Sequence, residues 1–418
     1  MSRRASDLLT GHGRGAAVFL AFAFAYFLST LIRAITATLS PTLTAEFELH
    51  ARDLGLLAGG YFLGFAFTQL PMGTWLDRHG PKRVILYFLS AAVAGCLLFS
   101  AATQFWVLMA ARVLTGVGVS ACLMAPLTGY RRWFDPPLQL RANSWMLMVG
   151  SLGLVGATLP VRLLMPITGW RPLFWLLAAG LLLAMLLIAW AAPAWRPAGG
   201  EASAAPSDGG YSAVWRDPFF RKLVPLGFFN YGGFVAMQTL WVVPWLTRVA
   251  GYTPQEAAGA LFWISIALLA TYGLWGMVNP RLAHRGIPAA RLLVWGMPLG
   301  MLALALVLIA GTAAGTVAWV VFLCVSTVVT LAQPAVALAL PTALAGRALS
   351  AYNLVVFAGV FVMQWGIGLL IDLFASAGLD QLASFRAALS VFLACCVMSY
   401  VYFLWAPPHN RCVVPRPA

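Results

Sequence analysis

Twelve stretches of this chain are apolar and long enough to cross a lipid bilayer. They run at roughly 16–40, 53–76, 83–101, 104–130, 141–165 and 171–194, then at 221–247, 255–278, 290–311, 315–340, 348–373 and 384–406. A spanning helix takes about 20 residues, so twelve fit within 418 residues with short connections. Charge shows that they are spans and not buried core. Only 9% of the residues are charged and 61% are hydrophobic, against about 25% charged in soluble domains. So few charges cannot cover a water-facing surface. Inside a bilayer each backbone polar group must find its partner within the protein, which helices of this length do. The expected fold class is an all-α membrane protein with 12 transmembrane helices. The first run is too long for a cleaved signal peptide and contains Arg33.

The segment Pro193–Trp215 is rich in Pro, Gly, Ala and Ser, which is linker composition. It divides the chain into an expected six-helix bundle over 1–194, a cytoplasmic linker over 195–220, and a second six-helix bundle with a short tail over 221–418. With both termini inside, all but seven of the 26 basic residues fall on the cytoplasmic side. The seven are Arg33, Arg52, Arg112, Arg162, Arg171, Arg248 and Arg386. The net charge of +14 therefore follows membrane topology and does not signal nucleic-acid binding. A shift of 206 residues lays Arg141-Ala142-Asn143-Ser144 on Arg347-Ala348-Leu349-Ser350, Leu76 on Leu282 and Gly80 on Gly286. The two halves are thus expected to be pseudo-symmetric. Spans six and nine contain runs without a polar residue, Leu173–Trp190 and Leu292–Ala310, and are expected to face lipid.

Between spans two and three lies Gly73-Thr74-Trp75-Leu76-Asp77-Arg78-His79-Gly80-Pro81-Lys82-Arg83. This resembles the signature loop of the major facilitator superfamily, Gly-x-x-x-Asp-Arg-x-Gly-x-Lys/Arg-Arg. Span four carries Arg112-Val-Leu-Thr-Gly116-Val-Gly118, which resembles the superfamily's Arg-x-x-x-Gly-x-Gly. The resemblance covers essentially the whole chain. It implies two pseudo-symmetric six-helix bundles that rock about a central site, and a secondary active or facilitative transporter. By the same resemblance Gly73, Asp77, Arg78, Gly80 and Arg83 form a conformational latch. Gly73 allows close helix approach, Gly80 a tight turn, and Asp77 faces the start of span eleven near Ser350 and Asn353. The second half has Ala283 at the Asp77 position, so the latch is expected on one half only.

Arg33 is an ionisable residue inside a span, which is a functional-site hypothesis by default. Tyr26 and Thr30 share its helical face. In span seven, Asn230, Phe234, Gln238, Trp241 and Trp245 recur at roughly helical spacing. Tyr61 and Gln69 in span two, and Asn353 and Gln364 in span eleven, complete the candidate substrate-binding set of Arg33, Tyr26, Thr30, Tyr61, Gln69, Gln238, Trp241, Asn353 and Gln364. For any of these the alternative is a helix–helix hydrogen bond, and for Arg33 snorkelling to the headgroups. Arg112 is a coupling candidate, because in some relatives the matching Arg is tied to proton coupling and in others it is structural.

No acidic or His residue falls at the middle of a span. Central arginines without internal acids imply a negative partner, and the simplest is the solute: a small organic or inorganic anion held by guanidinium hydrogen bonds. An Arg in span one resembles the organophosphate:phosphate exchangers, whose second Arg, in span seven, is replaced here in the region of Gln238. Export of amphiphilic compounds is the alternative, with Trp241, Trp245, Phe65 and Phe357 as an aromatic lining. The Gly-Pro pair of the superfamily's drug exchangers is absent from span five. A non-transporting receptor on the same fold is the remaining alternative. No nucleotide, metal or catalytic motif appears, so the chain is expected to be no enzyme and to need no cofactor. The expected setting is the inner membrane of a bacterium, as a functional monomer in lipid.

Overall fold

The computed structural model describes residues 12–195 and 210–405. Most of the expected linker, both tail ends and Arg3, Arg4, Arg196, Arg411 and Arg416 lie outside the described residues. Within them the chain is helical, with no strand. Nine helices are long and apolar enough to cross a membrane, and a tenth is Pro137–Gly156 joined to Leu159–Thr168 across a 47° bend.

Two further helical stretches lie where the remaining two of the twelve expected spans fall. Thr68 is itself in the right-handed helical region (φ −88, ψ −10), so Ala51–Phe67 runs on into the next helix. That rod stops at Gly80, whose φ of 77 and ψ of 160 break the helix Gln69–Ser100 in two. Span two is therefore 51–79 and span three 81–100. Span seven, 218–248, is built from five short pieces, two of them π-helical, Leu226–Tyr231 and Met237–Trp241. The others are span one His12–Phe47, span four Phe105–Trp133, span five 136–168, span six Trp170–Ala191 and span eight Pro254–His284. Span nine is Ala289–Ala310, span ten 316–339, span eleven Thr342–Ser376 and span twelve Gln381–Trp405. The expected linker contains a short helix, Gly210–Arg216.

Spans six and nine expose Trp175, Leu186, Trp190, Trp295, Leu302 and Ile309, the lipid-facing surface expected of them. Close packing inside the first half rests on small residues. A Cβ on Gly116 would strike the carbonyl of Tyr61 in span two, and one on Gly118 the backbone of Ala92 in span three. Glycines at 150, 153 and 156 turn one face of span five toward Tyr26, Phe27 and Thr30 of span one. Span eight opens with a capping box: Thr253 N–H donates to Glu256 at 2.8 Å and Glu256 N–H to Thr253 Oγ1 at 3.2 Å.

The halves meet most extensively along spans two and eleven. A Cβ on Gly55 would strike the Gln364 carbonyl, and one on Gly368 the Ala51 carbonyl. At the end away from the linker, here the far side, Asp372 of span eleven accepts from the N–H groups of Ala51 (3.1 Å) and Arg52 (2.9 Å), capping span two across the halves.

Candidate functional site

Arg33 is half-buried in span one, and its Nε is shut off from solvent without a partner. No carboxylate pairs with it among the described residues. Four tyrosines feel its charge. Tyr26 lies within hydrogen-bonding reach of the guanidinium, and Tyr61, Tyr231 and Tyr272 are within range of its charge. They come from spans one, two, seven and eight, so both halves contribute. Tyr231 and Tyr272 are absent from the candidates drawn from sequence. The only signal for either was a phenol within an apolar span.

Arg112 lies behind this group. It is 1% exposed, donates through Nη1 to the Ile32 carbonyl at 3.0 Å, and stands over the Tyr61 ring at 5.1 Å. Its Nε and Nη2 are buried without partners. Tyr61 in turn donates to the Ser29 carbonyl at 3.4 Å. Arg112 therefore holds the backbone one residue before Arg33 and packs on the Tyr61 ring.

The other candidates scatter. Thr30 donates to the Phe27 carbonyl of its own helix at 3.0 Å and is packed against Gly153. Gln69 donates to the Phe65 carbonyl at 3.2 Å. Asn353 accepts from Gln333 in span ten at 2.6 Å. Gln364 donates to Thr239 in span seven at 2.9 Å, with its Oε1 buried and unpartnered. Gln238 and Trp241 lie in the second π turn, the piece of span seven packed most closely on span one. Trp241 is buried edge-on to Phe385, its Nε1 without a partner.

The residues read as one face of span seven do not form one. Asn230 turns to Ser399 in span twelve at 2.6 Å, and Trp245 donates to the Ala314 carbonyl at 3.2 Å. The two π turns each insert extra residues into a turn, so the 3.6-residue spacing loses phase along the span. Of the expected aromatic lining, Trp245 is buried against Trp319 and Phe385, whereas Phe65 and Phe357 are half-buried and pack on each other with centroids 4.4 Å apart.

At the loop between spans two and three, Gly80 seats the Trp195 ring in a backbone conformation that only glycine takes easily. Gly286, its partner under the 206-residue shift, has the same φ of 77. Arg132 stacks on Trp195 at 4.0 Å, and Lys82 donates to the Ala192 carbonyl at 2.9 Å, closing the end of span six. Asp77, Arg78 and Arg83 are exposed, and Asp77 has no partner among the described residues. The close approach expected at Gly73 is not made in this conformation: nothing lies within 4 Å of where its Cβ would stand. Near Ser350, where Asp77 was expected, stands Tyr211 of the linker helix. It donates to the Leu70 carbonyl at 3.2 Å and lies within reach of Ser350 and Arg347.

The sequence matches the Major Facilitator Superfamily over residues 22–363. It is 28% identical over 296 residues to a 3-(3-hydroxy-phenyl)propionate transporter of Escherichia coli, covering 64% of this chain and 67% of that one. It is 30% identical over 166 residues to a 4-hydroxybenzoate transporter of Pseudomonas aeruginosa, covering 39% and 36%. With a probable anion transporter of Oryza sativa it shares 25% over 304 residues, covering 66% and 54%. The chain thus spans between about a third and two thirds of these relatives' lengths. The fold matches a bacterial homologue of the human lysosomal transporter Spinster, crystallised inward-facing and unoccupied (TM-score 0.78, 17% identity, 95% of this chain and 97% of that one). It also matches a D-xylose-proton symporter (TM-score 0.76, 14% identity, 94% and 98%). These relatives are membrane transporters and not enzymes. By sequence and by fold, this multi-pass chain belongs to the major facilitator superfamily.

Proposed function

We propose that the protein carries a small organic anion across the membrane by alternating access, with Arg33 as the group that binds the anionic end. The observation that carries this reading is the Arg33 guanidinium, which has no carboxylate partner among the described residues, a buried Nε without a partner, and a charge felt by tyrosines of both halves. An unpaired cation within a membrane protein is costly, and a bound carboxylate removes that cost through paired, charge-assisted hydrogen bonds. The phenols add ring faces and, apart from Tyr61, whose proton is used on the Ser29 carbonyl, donors, which suit an organic acid with an unsaturated or aromatic body. The names of the relatives, carriers of hydroxylated aromatic acids and of anions, support the same class. Arg112 acts behind the site as a positioning residue: it is shut off from solvent, and its Nη1 holds the Ile32 carbonyl one residue before Arg33. The linker side is read as cytoplasmic, in the inner membrane of a bacterium. The boundaries 1–194, 195–220 and 221–418 serve as two moving bodies and their tether.

The test is uptake into proteoliposomes loaded with the purified chain, using 4-hydroxybenzoate and 3-phenylpropionate as probes. Arg33→Gln should reduce anion transport by about a hundredfold, the loss expected for ~3 kcal/mol of charge-assisted binding. Arg33→Lys should keep part of it. Equal transport by Arg33→Gln and the parent would overturn the reading.

A further inference from the structure

Spans one and seven carry the same four-residue pattern near their far-side ends, Pro41-Thr42-Leu43-Thr44 and Pro244-Trp245-Leu246-Thr247. A proline inside a helix leaves the carbonyl four residues earlier without its donor. In span one Ser40 supplies one: its Oγ donates to the Ala37 carbonyl at 2.7 Å. The two patterns face each other across the halves and line a half-open cavity of about 240 Å³. Its wall comprises Ser40, Pro41 and Thr44 from the first half and Pro244, Thr247 and Arg248 from the second, with Ala45 and Leu54.

The polar groups of this cavity are not equivalent. Ser40 and Thr247 use their protons on their own helices, Thr247 on the Val243 carbonyl at 3.0 Å. Thr44 does not: its Oγ1 is buried without a partner, so its proton is free to be donated. Arg248 is half-buried and makes no hydrogen bond or ion pair among the described residues. The charge of Asp372 reaches it without a direct contact. That carboxylate already accepts from two N–H groups at the start of span two, whose partial positive charge offsets it. Arg248 is left as a cation with no direct partner at the wall of a largely apolar cavity, and Thr44, whose hydroxyl has no partner, stands on the opposite wall.

We propose that this cavity is a second anion site, separate from Arg33, which takes a small singly charged carboxylate from the far-side compartment. The carboxylate accepts from the Arg248 guanidinium and from Thr44 Oγ1. These two donors belong to different halves, so the bound anion bridges them. Opening the far side would split the site. By linkage, an anion held there favours the far-side-closed conformation. High concentrations of anion on that side therefore slow the carrier instead of driving it.

The experiment uses the full chain in detergent, with sodium propionate as the probe at constant ionic strength. Thermal stabilisation is measured for the parent, Arg33→Gln, Arg248→Gln and Thr44→Val. Stabilisation should persist in Arg33→Gln. It should need about tenfold more propionate in Arg248→Gln and about fivefold more in Thr44→Val. Thr44→Val nearly conserves volume, so it keeps the test open if Arg248→Gln fails to fold. Spin labels at His50→Cys and Leu379→Cys, both exposed at the far side, should report a larger short-distance population when propionate is added. Stabilisation lost in Arg33→Gln but unchanged in Arg248→Gln and Thr44→Val would overturn the proposal and assign the anion to the central site. Labels that do not respond, or that move apart, would overturn the bridging role. Failure of the central-site reading would appear separately, as unchanged transport by Arg33→Gln.

Discussion

At the residue scale, the glycines of the two family motifs separate into those under load and those in open space. Gly116 lies against the Tyr61 backbone, whereas Gly73 has nothing within 4 Å. A methyl added at Gly116 must push span four away from span two, and overpacking of this kind costs about 1–3 kcal/mol. Gly116→Ala should therefore lower the thermal midpoint of the purified chain, and Gly73→Ala should leave it unchanged. Both effects are read by following unfolding in detergent. The arginines separate in the same way. Arg33 and Arg112 could be singled out in the sequence because charge inside a span is rare. Their difference could not, because it depends on the Ile32 carbonyl meeting Arg112 and on tyrosines of both halves coming within range of the Arg33 charge. Arg171 and Arg386, left over once the cytoplasmic basic residues are counted, prove to be caps. Arg171 donates to the Ala102 carbonyl at 3.1 Å and Arg386 to Leu308 and Ile309 at 2.7 and 2.9 Å, closing the ends of spans three and nine.

At the scale of elements, hydropathy places helices along the chain but not their interior. Span seven has the composition of a single helix, yet its two π turns rotate Asn230 and Trp245 into the second bundle. Single-residue periodicity cannot show this, because a π turn changes the phase without changing the residue types. The linker helix Gly210–Arg216 is hidden for a different reason. It lies in linker-like sequence, and what holds it is tertiary contact: Tyr211 bridges span two, at Leu70, and the start of span eleven, at Ser350. Gly80, by contrast, is legible in sequence as a tight turn, and its conformation and the Trp195 ring both exclude a side chain. Gly80→Ala should cost about 1–3 kcal/mol. The same unfolding measurement checks it, and Gly259→Ala, with open space around it, is the control.

At the scale of the whole molecule, two carboxylates stand at opposite ends of the contact between spans two and eleven. Asp372 caps span two at the far side in this structure. Asp77 is exposed at the linker side with no partner among the described residues. If alternating access is the mechanism, each carboxylate stabilises one state only, through the positive end of a helix in the other half. A charge in this position contributes about 1 kcal/mol, or roughly a fivefold change in the ratio of the two states. Asp372→Asn weakens far-side closure, so labels at His50→Cys and Leu379→Cys should gain a longer-distance population. Asp77→Asn weakens the opposite state, so the same labels should collapse further onto the short distance. The two sites lie at opposite ends of long helices and share no partner, so their effects should add. The double variant should then return the distance distribution close to that of the parent. Shifts of the same sign from the two single variants would show that the carboxylates do not oppose each other, and the rocking mechanism built on them would fall.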